Sequence, residues 1–499
     1  MSLAVVSSRA LFGLEAVPVR VEVHVGPGLP AFNLVGLPGA GVRESRDRVR
    51  SAILSSGFDF PAGRVTVNLA PADLPKASGR FDLPIALGIL LASGQVACTD
   101  DTDMAGLVFA GELSLTGAVV SIDAVLAIAL AVARDTPGAI LVVPARCADV
   151  AASVPGLTVL AADSLAHVAA HLAGVSGLTV VGYQTLQAAD MTGYCLSEVR
   201  GQAVARRVLE IAAAGGHSLL MSGPPGTGKS MLANRLPSLL PPLSHAQALE
   251  AMALAGVAGR NQPLDLTPPF RSPHHSCSVA ALVGGGVIPR PGEISLAHRG
   301  VLFLDELPEF SRQALESLRE PLETGSVSIA RSSRSVVYPA RFQLVAAMNP
   351  CPCGWLGHGV RACRCTPDRI DHYRSRLSGP LLDRIDLQVV LGAVGRGWSS
   401  LPLGESSAIV RERVTRCRGL QMQRQGCLNA DLAGGALERQ ASLLPEARQA
   451  LDDIALRHSW SGRVIHRVLR VARTLADLAG PDVLTRDHVL EAAQYRPAW

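Results

Sequence analysis

A run of eight residues near the middle of the chain, GPPGTGKS at positions 223–230, limits the possible folds of this protein more than any other segment. The run follows HSLLMS, which is typical of a strand, and precedes MLANRL, which is typical of a helix. That context is the one that the phosphate-binding pattern G-x-x-x-x-G-K-[ST] requires. The sequence therefore predicts a nucleotide site between a strand and a helix of a parallel α/β sheet.

The residue types of this loop suit the binding of ATP together with Mg²⁺. Glycines let backbone N–H groups approach the phosphates, and the N-terminus of the following helix adds a favourable dipole. Lys229 would reach the β- and γ-phosphate oxygens, and the hydroxyl of Ser230 would bind Mg²⁺. The other residues of the predicted nucleotide-binding loop are Gly223, Pro224, Pro225, Gly226, Thr227 and Gly228. A glycine-rich turn without a ligand is the alternative.

Two acidic residues follow a second apolar strand, in VLFLDELPEF. Asp305 and Glu306 stand at the carboxyl end of that strand, where an α/β sheet presents groups to its ligand. Asp305 would hold Mg²⁺ through water, and Glu306 would polarise the attacking water, which makes the predicted site hydrolytic. Taken alone, the segment could also be an exposed acidic turn.

Two further side chains are candidates for the same reaction. The strand FQLVAAMN ends at Asn349, which could hydrogen-bond the γ-phosphate or the attacking water. In SGPLLDRIDL, Arg384 stands between two acids, and a local salt bridge is the alternative to a catalytic role.

The alternation of strand and helix patterns indicates an α/β protein of several domains. A chain of 499 residues exceeds what one hydrophobic core usually serves. Residues 1–172 predict a first α/β domain, which a linker at 173–194 joins to the nucleotide-binding domain at 195–395. Strand signals fade past residue 400, and residues 396–499 are predicted to form a helical lid.

Composition favours a folded protein, and the lack of a signal peptide pattern and of a membrane span favours the cytoplasm. Apolar residues make up 48% and charged residues 18%, and the net charge is only +4, so any nucleic-acid contact would come from local basic stripes. Apolar runs such as AVLAIALAVA are shorter than the ~20 residues of a membrane span, and the N-terminus lacks the pattern of a signal peptide. We expect no membrane partner.

Four of the ten cysteines fall within fifteen residues. Cys351 with Cys353, and Cys363 with Cys365, form two C-x-C pairs that suit a closed tetrahedral zinc site. Reduced or redox-active thiols, or ligation that involves His358, are the alternatives. A metal here would be structural and would stiffen the loop that follows Asn349.

Arginines and histidines of the middle domain suggest contacts with a partner. Arg331 and Arg334 lie in a hairpin-like stretch with few acids, and we expect them to neutralise DNA phosphates without reading bases, a solvated hairpin face being the alternative. Tyr338 is the one aromatic residue there that could stack on a base. His274 and His275 on a nearby insertion fit a contact with a subunit or DNA better than a metal site.

The segments GPPGTGKS, VLFLDELPEF, AAMNPCPCG and SGPLLDRIDL resemble the magnesium-chelatase-like YifB/ComM family of AAA+ ATPases, and the resemblance covers nearly all of the chain. It implies a homo-hexameric ring in which Asn349 is sensor 1 and Arg384 is an arginine finger acting on the neighbour's nucleotide. Arg463, in WSGRVIHRVLR, is similar to the sensor 2 arginine of the lid, with Arg467 as the competing choice.

The first domain resembles the Lon-protease-type domain that this family carries. DLPKASGRFDLPIALGIL and GELSLTGAVVSIDAVLAIAL are similar to the segments that hold the serine and the lysine of Lon proteases. Arg80 stands at the serine position and Leu126 at the lysine position. A serine peptidase needs a nucleophile with a nearby base, so we expect a ring-forming or DNA-contacting platform without proteolysis.

The resemblance implies an ATP-driven DNA motor, a branch-migration helicase used in recombination of incoming DNA during natural transformation. Its substrate would be single-stranded or branched DNA, bound without sequence specificity. A chelatase-like ATPase that remodels a protein partner is the alternative. An ATP-dependent peptidase is a third hypothesis, against which the missing serine and lysine argue.

Overall fold

The computed structural model describes residues 2–496 except 37–39, 73–75, 77–78, 100–102, 189–192, 261–262, 287, 332–333, 360 and 393–401. The chain divides into two compact units. Unit 1 contains residues 1–187 and 245–265, and unit 2 contains residues 188–244 and 266–499. A helical segment inside the predicted nucleotide-binding domain thus belongs to unit 1, which the sequence patterns did not indicate.

Unit 1 is built on an eight-stranded mixed sheet with the strand order β10-β9-β8-β5-β1-β2-β4-β3. Its strands are β1 (Ser2–Phe12), β2 (Glu15–Gly26), β3 (Ala31–Val35), β4 (Arg64–Ala70), β5 (Leu107–Phe109), β6 (Glu112–Leu113), β7 (Val119–Val120), β8 (Ile140–Pro144), β9 (Thr158–Ala162) and β10 (Thr179–Val181), of which β6 and β7 form a separate small ladder. Strands β1 and β2 form an antiparallel hairpin. Val19, Val21 and Val23 of β2 are buried, as the two-residue period of a strand predicts.

Helices cover this sheet. They are α1 (Ala40–Ser55), α2 (Asp82–Ala92), α3 (Val125–Asp135), α4 (Ala145–Ala152) and α5 (Leu165–Leu172). All residues of α2 except Leu91 are buried, because the helix is apolar on every side and packs on β1 and β2.

Unit 2 contains a five-stranded sheet in which every pairing is parallel, with the order β12-β15-β18-β11-β19. The strands of unit 2, in the sheet and outside it, are β11 (Leu219–Ser222), β12 (Phe270–Arg271), β13 (Gly284–Gly285), β14 (Arg290–Pro291), β15 (Val301–Leu304), β16 (Ser326–Arg331), β17 (Arg334–Pro339), β18 (Gln343–Met348) and β19 (Leu387–Val390). Strands β13 with β14, and β16 with β17, form antiparallel ladders outside the sheet. Because the central strands are parallel, the loops after β11, β15 and β18 meet at one edge of the sheet.

The helices of the remaining chain are mostly short near the sheet and longer toward the C-terminus. They are α6 (Ala203–Gly215), α7 (Lys229–Ala233), α8 (His245–Val257), α9 (Val279–Val283), α10 (Glu293–Leu296), α11 (Arg312–Ser317), α12 (Pro321–Thr324), α13 (Pro367–Ser375), α14 (Gly379–Leu382), α15 (Ser407–Gln425), α16 (Gly434–Gln440), α17 (Pro445–Arg457), α18 (Gly462–Ala479) and α19 (Arg486–Gln494). Helix α8 packs against α3 within unit 1.

The predicted fold class is confirmed. The structure is α/β with a parallel sheet, and from Ser407 to Gln494 its elements are helical. Helix α18 is amphipathic and buries Val468, Val471 and Leu475 at spacings of three and four residues.

Within the described residues, no helix combines the length and the apolar character that a membrane span requires.

Candidate active site

The predicted nucleotide-binding loop lies between β11 and α7, at residues 223–228. Gly226 and Gly228 have φ angles of 77° and 85°, a left-handed conformation that glycine adopts without steric cost. The hydroxyl of Thr227 donates a 2.9 Å hydrogen bond to the carbonyl oxygen of Pro224 and closes the turn. The glycines are therefore required by the path of the backbone.

Lys229 is buried inside this loop. Its ammonium group donates hydrogen bonds to the carbonyl oxygens of Gly223 (2.6 Å) and Pro224 (3.0 Å) and to Oδ1 of Asn349 (3.1 Å). Burial lowers the pKa of Lys229, although two nearby carboxylates act in the opposite direction. The structure thus brings the lysine of the loop and the asparagine at the end of β18 into direct contact.

Ser230 and Asp305 also meet, at the predicted Mg²⁺ position. The Ser230 hydroxyl donates a 2.6 Å hydrogen bond to Oδ2 of Asp305, and Oδ1 of Asp305 accepts the backbone N–H of Glu306 at 2.9 Å. One hydroxyl and one carboxylate at this separation are oxygen ligands of the kind that Mg²⁺ prefers. This donor set therefore fits the metal that accompanies ATP.

Glu306 has an unusual backbone conformation, with a φ of 52° at the end of β15. A left-handed conformation is uncommon outside glycine and often marks functional sites. The Glu306 side chain is about half exposed, and its Oε2 lies 3.1 Å from Nδ1 of His275. Sequence reasoning missed this contact, because the two residues are thirty-one positions apart.

Arg384 has partners other than the residues of the nucleotide-binding loop. Its guanidinium forms an ion pair with Glu323 of α12 and donates a 2.8 Å hydrogen bond to the carbonyl oxygen of Pro380. The Arg384 side chain is only 12% exposed. The acid that pairs with this arginine is thus Glu323, sixty-one residues away, and not one of the two acids that flank it in sequence.

The two lid arginines have different surroundings. The Arg384 hydrogen bond holds the pKa of Glu323 below its usual range, and Arg463 and Arg467 add to this effect. Arg463 is exposed, whereas Arg467 forms an ion pair with the buried Asp386. Arg384 and Arg463 therefore both act on the carboxylate of Glu323, and Arg467 joins α18 to the residue that precedes β19.

The four clustered cysteines come together in space. Their sulfur atoms all lie within 4.8 Å of one another, with distances from Cys351 to Cys353 of 3.4 Å and from Cys351 to Cys363 of 3.6 Å. Four thiolates around one zinc ion at 2.3 Å would be about 3.8 Å apart, whereas a disulfide is about 2.0 Å long. The cluster with Cys365 therefore fits a tetrahedral metal site.

Backbone hydrogen bonds favour the thiolate form of one of these cysteines. The N–H groups of Trp355 and Arg364 donate hydrogen bonds to Cys353 and lower the pKa of its thiol to about 6. His358 instead packs edge-on against Trp355 and accepts the N–H of Arg361 at Nδ1, so it is not part of the four-residue cluster. A thiol that loses its proton readily is suited to metal ligation.

The cysteine loop packs directly on the nucleotide-binding loop. A Cβ added to Gly354 would lie 2.7 Å from Cδ of Pro225 and 3.9 Å from Cγ of Asn349. Since Gly354 has a φ of 81°, both its conformation and its close approach require glycine. The cysteine loop thus lies against the loop that would hold the phosphates.

The hairpin of β16 and β17 carries Arg331 and Arg334, whose backbones stand opposite each other at the end of the antiparallel ladder. The side chains of both lie outside the described part of the structure. The expectation that Tyr338 could stack on a base is wrong, because this side chain is fully buried and donates a 2.8 Å hydrogen bond to the carbonyl oxygen of Pro289. An aromatic ring that packs inside the protein is not available to a nucleic acid.

In unit 1, the two positions that correspond to the serine and the lysine of Lon proteases are buried. Arg80 is 7% exposed and Leu126 is 2% exposed. Burial lowers the pKa of the Arg80 guanidinium to about 10, opposed by Asp123. Ser78, the nearby serine of that segment, lies outside the described residues.

Comparison with protein-family models gives three matches in chain order. Residues 21–146 match the model of subunit ChlI of Mg-chelatase, residues 195–397 match the model of magnesium chelatase subunit ChlI, and residues 404–496 match the C-terminal model of the same subunit. The three ranges together include all of the candidate site residues described above.

Relatives of known sequence match along nearly the whole chain. YifB of Escherichia coli, described as uncharacterised, is 46% identical over 507 residues, which cover 99% of this chain and 97% of that protein. The competence protein ComM of Haemophilus influenzae is 44% identical, with 99% and 98% covered. An uncharacterised protein of Mycobacterium tuberculosis is 43% identical, with 99% of each chain covered.

Proposed function

Because this chain belongs to the YifB/ComM family of magnesium-chelatase-like AAA+ ATPases, we propose that it is an ATP-hydrolysing ring motor that acts on DNA in the cytoplasm. The observation that carries the hydrolytic part is the meeting of Lys229 with Asn349 and of Ser230 with Asp305 at one edge of the sheet. These four side chains come from three separate segments and converge where a parallel sheet binds its ligand.

In this proposal, each residue acts on the substrate, ATP with its Mg²⁺. Lys229 exchanges its carbonyl partners for the β- and γ-phosphate oxygens, while Ser230 and Asp305 hold the metal. Glu306 orients and polarises the attacking water, and Asn349 fixes that water or the γ-phosphate. The burial of Lys229 strengthens its attraction to phosphate, because charges interact more strongly away from bulk water.

Arg384 is proposed to act on the nucleotide of a neighbouring subunit in a homo-hexamer, and Arg463 to contact nucleotide as the sensor 2 arginine of the lid. The ion pair of Arg384 with Glu323, on whose carboxylate Arg463 also acts, supports placing both arginines in one charged group. The ion pair with Glu323 would have to open before Arg384 reaches a phosphate. An arginine supplied in this way stabilises the charge of the transition state.

The DNA part of the proposal rests on the resemblance to a competence protein and on the arginines of the β16–β17 hairpin. Arg331 and Arg334 sit at the end of this hairpin, and we assign them to phosphate contacts. With Tyr338 buried, phosphate contact rather than base stacking is the expected mode, which suits a helicase that binds branched or single-stranded DNA of any sequence.

A structural zinc ion in the cysteine cluster completes the proposal. The residues Cys351, Cys353, Cys363 and Cys365 would hold it. Zinc would fix the loop that carries Gly354 against Pro225 and thereby help to shape the nucleotide site.

ATP hydrolysis measured with and without DNA tests the proposed function. We expect turnover that rises several-fold with single-stranded or branched DNA, followed by strand migration on a branched substrate. Turnover that no DNA changes would contradict the DNA motor and favour an ATPase that remodels a protein partner. An absence of turnover would contradict the hydrolytic site itself.

A further inference from the structure

The loop that carries the cysteine cluster, residues 351–365, also presents an aromatic side chain at the surface. Trp355 is partly exposed, and the guanidinium of Arg361 lies 4.6 Å from the centroid of the indole ring. The ring of His358 stands edge-on to the same indole, with centroids 4.9 Å apart. Unstacked nucleic-acid bases stack on planar groups of this kind, both indoles and guanidiniums. The aromatic ring of the β16–β17 hairpin, that of Tyr338, is by contrast buried.

A cleft of about 350 Å³ opens beside this loop, between Pro352 and α13. Arg369 and His372 of α13 line the cleft, as does Arg376, which directly follows the helix. Their spacing of three and four residues places these three side chains on one helical face. The volume is at the lower end of the range for small-molecule sites, so the cleft fits one nucleotide unit and not a larger ligand.

The cleft offers acceptors as well as cations. Asp368 and Glu309 also line it, and Glu309 accepts a 3.0 Å hydrogen bond from Arg376. A bare phosphate presents oxygen acceptors, whereas a nucleotide unit combines phosphate oxygens with N–H groups on the edge of its base. The mixture of guanidinium and carboxylate groups therefore matches a nucleotide unit better than an inorganic anion.

The exposed charges of this region favour a polyanion. Between residues 355 and 376 the chain has five arginines and two aspartates, and Arg361, Arg364 and Arg369 are exposed. A zinc ion with four thiolates is negative in total, which works against a small free anion. A chain of phosphates that also stacks its bases gains from each arginine in turn and from the indole. Single-stranded DNA thus fits the charges and the aromatic ring together.

This region adjoins the proposed ATP site. Tyr373, which also lines the cleft, is buried, and the backbone of Asn349 bonds to its hydroxyl. Asn349 in turn accepts a hydrogen bond from Lys229. A ligand in the cleft therefore lies next to a residue that touches the end of β18.

We propose that the cysteine loop and α13 form a second binding surface for single-stranded DNA, separate from the β16–β17 hairpin. A base stacks on Trp355 or on the guanidinium of Arg361, and Arg364 and Arg369 contact phosphates, with one nucleotide unit in the cleft. The contact does not depend on base identity, because every base has a face that can stack. This inference rests on the DNA part of the proposed function and extends it by a surface that the hairpin arginines do not include.

The first test measures the Kd of the full chain for a labelled oligothymidylate of about 16 nucleotides, by fluorescence anisotropy without ATP. Trp355→Ala is expected to raise Kd about five-fold or more, the effect of losing one stacked base. Arg369→Ala is expected to lower the slope of log Kd against log salt by about 0.7, the value for one phosphate contact on a single strand. Arg448→Ala, at an exposed arginine of α17, is the matched control and should change neither quantity.

A second measurement reports on the site itself. A base that stacks on Trp355 quenches the fluorescence of its indole, so we expect partial quenching of tryptophan emission when the oligonucleotide is added. Trp355→Phe keeps a ring for stacking and should retain most of the affinity, but this quenching should disappear. Thymidine monophosphate at the same nucleotide concentration should not displace the oligonucleotide, because it offers a single phosphate.

The outcomes separate this surface from the proposed function. If Arg331→Ala and Arg334→Ala weaken binding while Trp355→Ala and Arg369→Ala leave Kd and the salt slope unchanged, the second surface is wrong and the DNA motor stands. Quenching that persists in Trp355→Phe would also overturn the proposal, as would full displacement by thymidine monophosphate, which would assign the cleft to a free nucleotide. If the unsubstituted chain binds no DNA, the DNA part of the proposed function fails, and this surface fails with it.

Discussion

The hydroxyl of Ser230 donates a 2.6 Å hydrogen bond to Asp305, across the gap between the start of α7 and the end of β15. In the proposed function this pair would hold Mg²⁺, with Ser230 as a direct ligand and Asp305 acting through bound water. The next residue, Glu306, projects from the same strand end. Binding of the metal and activation of water are thus assigned to adjacent residues that can be separated by mutation.

Glu306→Gln and Lys229→Ala should have different effects. Glu306→Gln keeps the size of the side chain and removes its basicity, so we expect nucleotide binding to remain and turnover to fall by about 10²–10⁴-fold. Lys229→Ala removes a phosphate contact and should lose both. Equilibrium binding of a fluorescent ATP analogue, together with steady-state hydrolysis, distinguishes the two outcomes. Turnover that survives Glu306→Gln would show that another residue is the base.

Arg384→Ala should abolish most turnover, by about 10³-fold or more, while leaving nucleotide binding intact. If Arg384 acts on a neighbouring subunit, mixing Arg384→Ala with Lys229→Ala chains should recover part of the activity, because some interfaces then combine an intact loop with an intact arginine. Mixed assemblies without any recovery would show that Arg384 acts within its own chain. Glu323→Gln, which removes the partner but keeps the arginine, is the matched control and should remain active.

The sequence was sufficient to predict the parallel α/β sheet and its loop, because GPPGTGKS has few structural solutions. The ends of β15 and β18 were also predictable, since apolar strands that stop at an acid or an amide are a local signal. Partners such as Glu323 for Arg384, and His275 for Glu306, were not predictable. They depend on tertiary packing between segments 61 and 31 residues apart, for which one sequence carries no local pattern.

Tyr338 shows how a residue type alone can mislead. Tyr338 was the one candidate for base stacking on the basic hairpin, but the alternation of the strand turns this ring inward, where it is fully buried. Burial raises the pKa of Tyr338 to about 12, and its hydroxyl bonds to Pro289. Which face of the hairpin is covered depends on the segment packed against it, here the one that contains Pro289, and the local sequence does not show that tertiary contact.

The cysteine cluster should hold one zinc ion per chain. Metal analysis of the protein purified without added zinc is expected to give this ratio, and Cys351→Ser should lower it because that buried thiol would lose its place as ligand. Because Gly354 of the same loop touches Pro225, the metal-free protein should also bind ATP more weakly. Cys417→Ser, which changes a buried cysteine outside the cluster, is the control for general damage. Full ATP affinity without metal would separate the cluster from the nucleotide site.

Asp386→Asn should destabilise unit 2. The carboxylate of Asp386 is buried and pairs with Arg467 of α18 and with His217, 3.4 Å away. Burial acts to raise the pKa of Asp386, but Arg467 and then His217 hold it well below its usual range. Removing one partner of a buried ion pair leaves the other charge uncompensated, so we expect a loss of about 3 kcal/mol in the free energy of unfolding.

The depressed pKa of Asp386 also fixes the sign of a pH effect. The native carboxylate stays charged at a pH where the unfolded one, with a pKa of about 3.9, takes up a proton. Its stabilisation is therefore fully present above about pH 4 and is lost as the pH falls below that value. Denaturant unfolding at pH 7 and at pH 3 should thus show a smaller difference between the native chain and Asp386→Asn at the lower pH. Asp383→Asn, the same change at the half-buried acid on the other side of Arg384, should lose less stability at pH 7. An equal loss in both variants would mean that the ion pair with Arg467 does not hold α18 to the sheet, and that apolar packing of α18 alone attaches the lid.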